Sequence, residues 1–121
     1  TESTSTDVLD DNAYEVLRSM LGAGADFFID DLLATYLDET PQLIQRLHRG
    51  QQTANAADVR MVAHSMKSSS ANLGAKAFSQ LCDQIEEQAR VGTLTLDLIS
   101  QVDAEYALVA EAMIALRAEL V

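Results

Sequence analysis

Apolar residues recur at intervals of three and four along most of this 121-residue chain, and strict apolar–polar alternation is nearly absent. That period predicts helices rather than strands. Asp10 or Asp11 can cap a short first helix carrying Val16, Leu17, Met20 and Leu21, which Gly22-Ala23-Gly24 ends. A long segment from about Asp26 to Arg49 places Phe28, Leu32, Leu33, Tyr36, Leu37, Leu43, Ile44 and Leu47 on one apolar face. Pro41 is expected to bend this segment or break it in two, with Thr40 as an internal cap, because proline lacks an N–H and crowds the preceding turn. Arg46, His48 and Arg49 ahead of Gly50 suit a helix C-terminus. A third helix is predicted from Asn55, its cap, to about Asn72, and a fourth from about Lys76 to Arg90 with Phe78, Leu81, Cys82, Ile85 and Ala89 in step. The last runs from about Thr95 to Leu120 and carries Leu98, Ile99, Val102, Tyr106, Val109, Met113, Leu116 and Leu120.

Four substantial amphipathic helices with short connections predict an all-α, antiparallel up-and-down four-helix bundle, with the short N-terminal helix covering one end. Length allows one domain, read here as 8–121 after a polar linker at 1–7. The chain does not begin with Met, and its Ser/Thr-rich start leads us to expect a segment of a longer protein. No apolar run approaches the roughly 18 to 20 residues of a membrane span, and the first residues lack a signal-peptide pattern.

Composition removes several function classes. Nineteen acids against eight bases give a net charge of −11, which argues against nucleic acid as the main partner. A single Cys leaves no internal disulfide and no Cys-based zinc site, and points to a reducing compartment. Cys82 falls on an apolar stripe and reads as a buried, inert thiol. Neither His follows a Glu at the spacing of a di-iron bundle, no His-x-x-x-His pair exists, and the scattered glycines form no phosphate-binding loop.

The third helix carries the candidate chemistry. At about 100° per residue, Val59, Val62, Ala63, Met66, Ser70 and Leu73 share one arc, and His64 lies about 150° from its centre. Lys67 at i+3 and Ser68 at i+4 flank the imidazole, with Ala71 one turn further on. Between Arg46 and Lys76 five bases (Arg46, Arg49, Arg60, Lys67, Lys76) face Asp58 alone, a local charge of +4 that would attract a phosphoryl group or an acidic pocket if the bases meet in space. His48, in the last turn of its helix, reads as structural. Met61 shares the outward face of His64 and reads as an apolar contact for a partner.

The run His64-Ser65-Met66-Lys67-Ser68-Ser69-Ser70-Ala71-Asn72-Leu73-Gly74-Ala75 resembles the signature of histidine-containing phosphotransfer (HPt) domains, typically His-x-x-Lys-Gly-Ser/Ala-x-x-x-Leu/Ile-Gly. The resemblance implies a phosphorelay intermediate: His64 accepts a phosphoryl group from a receiver-domain aspartate and passes it to another receiver. It implies that Lys67 balances phosphoryl charge and that Arg60, Met61, Ser65 and Ala71 belong to the partner-docking face. No cofactor of the chain's own is implied, and magnesium is expected in the partner receiver. The expected protein is a monomeric phosphoryl carrier rather than an enzyme. It is expected in the cytoplasm, free or tethered to the inner membrane through a parent hybrid sensor kinase, without membrane contact of its own.

Two positions depart from the family pattern. Ser68 replaces the usual Gly, and its small hydroxyl can donate to phosphoryl oxygens or to the imidazole. Where several members set a Gln near the histidine, alignment places Glu86; a carboxylate there would repel a phosphoryl group, so Glu86 is expected to point aside, with Gln84 as substitute. The alternative function is a docking or inhibitory helical module that binds a receiver without transfer, favoured if Ser68 blocks in-line approach.

Overall fold

The computed structural model describes residues 8–120; the linker read at 1–7 and Val121 lie outside the described residues. The helices are α1 (Asp11–Leu21), α2 (Ala25–Gln52), α3 (Ala56–Asn72), α4 (Lys76–Arg90), α5 (Leu96–Ser100) and α6 (Val102–Leu120). The four long ones pack in a closed ring, α2 on α3, α3 on α4, α4 on α6 and α6 back on α2, with α1 against α2. This is an all-α, antiparallel four-helix bundle.

Helix starts follow their caps. The Asp10 side chain accepts from the Asn12 N–H and opens α1, and Asn55 accepts from the Asp58 N–H to open α3. Ile29, Leu33, Leu47, Val59, Val62, Met66, Phe78, Ile99 and Met113 form a core that excludes water. Each such side chain stabilises the fold by about 1.5–3 kcal/mol. Cys82 is fully buried among them, which pushes its thiol up to about 12 and leaves it inert. Tyr36 reaches from α2 to share a 2.7 Å hydrogen bond with the Ser70 hydroxyl on α3, so this buried polar pair is satisfied. At the end of α3, Gly74 has φ +80° and a side chain there would meet the Asp10 carbonyl at 2.9 Å. The Asp10 N–H donates to the Gly74 carbonyl at 2.8 Å, and the Tyr14 hydroxyl donates to that of Leu73, which ties α1 to this end of the bundle.

Four local expectations are corrected. Pro41 neither breaks α2 nor needs Thr40 as a cap: the helix runs through it, with Thr40 buried. Proline at 41 frees the Leu37 carbonyl, and the Tyr106 hydroxyl approaches that oxygen at 3.5 Å from α6. Gly50 does not end α2. It is buried inside the helix, and a Cβ there would stand 2.8 Å from a Val59 methyl, so glycine lets the start of α3 cross closely. Phe28 and Leu32 are exposed, and the core position is Ile29, missed between them. The last helix is interrupted at Gln101, which separates the short α5 from α6.

Candidate functional site

His64 sits midway along α3, opposite the side that Val59, Val62, Ala63 and Met66 bury, and its side chain is 60% exposed. Three residues connect α3 to α4, so the hairpin turns about Ala75 and residues equally far from it in the chain come face to face. Lys67 meets Asp83 and His64 meets Glu86 in this register. The Ser79 hydroxyl also donates to the Lys67 carbonyl at 2.9 Å.

Glu86 therefore does not point aside. It is buried against α3, with Oε2 2.8 Å from His64 Nδ1 and Oε1 2.7 Å from Lys67 Nζ. Burial raises its carboxyl, but the bonds from Lys67 and His64 together outweigh burial and hold it below the ordinary glutamate value. An ionised carboxylate only accepts hydrogen bonds. In the neutral imidazole the proton must then lie on Nδ1, which leaves the Nε2 lone pair free to act as nucleophile. The expected substitute, Gln84, is exposed. Two residues from Glu86 is about 200° around the helix, so it faces elsewhere.

Lys67 is not a free cation. Its Nζ lies 3.1 Å from Asp83 Oδ1 as well as against Glu86, and the carboxylates of Glu86 first and Asp83 second raise its pKa. Ser65, Ser68 and Ala71 are exposed along the same face, as is Met61, and Arg60 stands one turn before the histidine. Arg60, Met61, His64 and Glu86 line a depression of about 360 Å³. The basic segment does not act as one patch: Arg46 pairs with Asp58, Lys67 with Asp83 and Glu86, and Lys76 with Asp10 at 3.0 Å. His48 bridges α2 to α6 through its Nε2, 2.9 Å from Asp103 Oδ2. Among the described residues, no group of three or more His, Cys, Asp and Glu side chains could hold a metal ion, and no helix is long and apolar enough to cross a membrane.

The arrangement defines a class of protein: a helical bundle that presents one imidazole to solvent, fixed in the tautomer whose outer nitrogen is nucleophilic. Known proteins agree with that class. The family model of the Hpt domain matches residues 31–119. The crystal structure of histidine-containing phosphotransfer protein B from Pseudomonas aeruginosa PAO1 superposes with a TM-score of 0.81 at 30% identity, covering 93% of this chain and 96% of that one. Histidine-containing phosphotransfer proteins 2 and 5 of Arabidopsis thaliana are each 27% identical over 79% of this chain. The match spans 65% and 64% of their own lengths, just under two-thirds of each. The chain belongs to the Hpt domain family.

Proposed function

We propose that this protein is a phosphorelay intermediate that takes a phosphoryl group from a receiver-domain aspartyl phosphate onto His64 Nε2 and returns it to the aspartate of another receiver. The observation that carries the reading is the hydrogen bond between His64 Nδ1 and the buried Glu86 carboxylate, which leaves Nε2 on an exposed face, unengaged by any of the described residues. In the forward step the Nε2 lone pair attacks phosphorus, the Nε2–P bond forms, the O–P bond breaks and the aspartate leaves as carboxylate. The proton on Nδ1 stays in place, and the ring, now formally cationic, is balanced by Glu86. Reversal needs no proton transfer either, which suits a carrier that works in both directions.

The receiver docks over Arg60, Met61, Ser65, Ser68 and Ala71. Beside them an apolar groove of about 780 Å³, lined by Val16, Leu17, Met20, Leu32, Leu43 and Ala71, extends the face and accounts for the exposure of Val16, Met20 and Leu32. The receiver brings the magnesium and the acidic pocket. The carrier works as a monomer on the cytoplasmic side. Phosphoryl transfer from a charged receiver, read by intact mass, tests the reading: the adduct should be acid-labile and alkali-stable, as a phosphoramidate is. Receivers that bind but never label His64 would leave a docking module in its place.

A further inference from the structure

Resting on the phosphohistidine reading above, we infer that Arg60, rather than Lys67, is the cation that holds the phosphoryl group on His64. The charges around the imidazole decide this. Lys67 is answered by two carboxylates, Asp83 at 3.1 Å and Glu86 at 2.7 Å. With Glu86 balancing the phosphorylated ring and Asp83 answering the Lys67 ammonium, the cluster offers no net positive charge to a dianionic phosphoryl group. For Lys67 to turn fully to the phosphoryl group it would have to give up its contacts with the buried Glu86 and with Asp83. That exchange gives up charge-assisted contacts in order to make another, so it gains little.

Arg60 faces no such exchange. Among the described residues it forms no ion pair within 4.0 Å. It stands four residues before His64, one turn away on the same helical surface. Side chains on a helix lean towards its N-terminus, so the imidazole overlies the Arg60–Met61 turn. The shared depression of about 360 Å³ is open and has room for roughly a dozen waters at about 30 Å³ each, ample for a phosphoryl group. A guanidinium offers two parallel N–H groups to a phosphoryl oxygen pair, a fork that an ammonium lacks. Lys67 then has a different task, holding Glu86 ionised and in place behind Nδ1.

The test avoids any partner. Phosphoramidate labels the full chain directly: its N–P bond breaks, the Nε2–P bond forms, and ammonia leaves with the protons of the donor nitrogen. The second ionisation of the bound phosphoryl group is then followed by phosphorus NMR from about pH 5.5 to about pH 9, bracketing the value near 6 of ordinary phosphate esters. A guanidinium alongside favours the dianion. Arg60→Gln should therefore raise that midpoint by about 0.3 to 0.7 unit, the range of an exposed ion pair, and Arg60→Lys should restore part of it. Lys67→Gln should move it less. An unchanged midpoint in Arg60→Gln, or a larger shift in Lys67→Gln, overturns the assignment of Arg60 while leaving the carrier role standing. A wild-type chain that takes no phosphoryl group on His64 overturns the carrier role and Arg60 with it.

Discussion

The two histidines stand on neighbouring helices and each has a carboxylate within hydrogen-bonding distance, at 2.9 Å for His48 and 2.8 Å for His64. They differ in which nitrogen is engaged and in what the carboxylate itself meets. His48 points Nε2 at Asp103, whose side chain is 67% exposed. His64 points Nδ1 at Glu86, whose side chain is 11% exposed and is pinned by Lys67. One pair is an exposed tie between α2 and α6, of the kind that contributes about 0–1 kcal/mol. The other is a preset tautomer with its nucleophilic nitrogen facing out. The lesson is that a histidine–carboxylate distance alone does not identify a reactive imidazole; the engaged atom and the burial of its partner do.

The largest effect separates the two rings outright. His64→Gln should abolish labelling by a charged receiver, while His48→Gln should label to wild-type extent by intact mass. Labelling that persists in the first variant would remove His64 from the mechanism. Next come the two carboxylates. Glu86→Ala should slow labelling about tenfold, the lower end of what losing a charge-assisted hydrogen bond commands at a half-open site. Asp103→Ala should leave the rate alone, and equal effects in rapid-quench time courses would erase the distinction drawn above.

Lys67→Ala should slow labelling several-fold, less than Glu86→Ala, because Glu86 keeps its bond to Nδ1 but loses the ammonium that fixes it. Circular dichroism melts should show the bundle still cooperative. A collapse of the melt would make Lys67 structural first. The smallest effect is in acid. The folded Glu86 carboxyl lies below the ordinary 4.5, so its stabilisation is present in full above that value and is lost as pH falls through the lower, folded one. The wild-type urea midpoint should therefore drop below about pH 4.5, and the drop should be shallower in Glu86→Gln. Parallel curves would mean that Glu86 is no better placed in the folded chain than in the unfolded one.

Much of this was legible in the residues. The arc of Val59, Val62, Ala63, Met66, Ser70 and Leu73 is buried as its period requires, and His64 lies on the far side. The boundaries of α4 follow the predicted Lys76 to Arg90. These are properties of a single helix, where spacing in sequence dictates direction in space. Where two helices had to meet, the pattern was silent or misleading. Phe28 and Leu32 share an apolar run with Ile29, and only the crossing of α2 with its neighbours selects Ile29 for the core. Gly50 reads as a stop, yet its role depends on Val59 of the next helix. Glu86 was expected to turn away because a lone carboxylate repels a phosphoryl group; Lys67, arriving from α3, reverses that argument.

By itself, then, the amino-acid order determined the helices, their inward faces, the exposure of the imidazole at position 64 and the motif around it, since all of these follow from the 3.6-residue period and local capping. The tertiary structure decided which nitrogen of His64 is free, that Lys67 is already neutralised, and that the basic segment is divided among Asp58, Asp83, Glu86 and Asp10. Those outcomes depend on the register between helices, which brings together side chains as far apart in the chain as Arg117 and Asp30, 87 residues. Charge and hydrogen bonding act through distance in space, and the period of one helix carries no record of it.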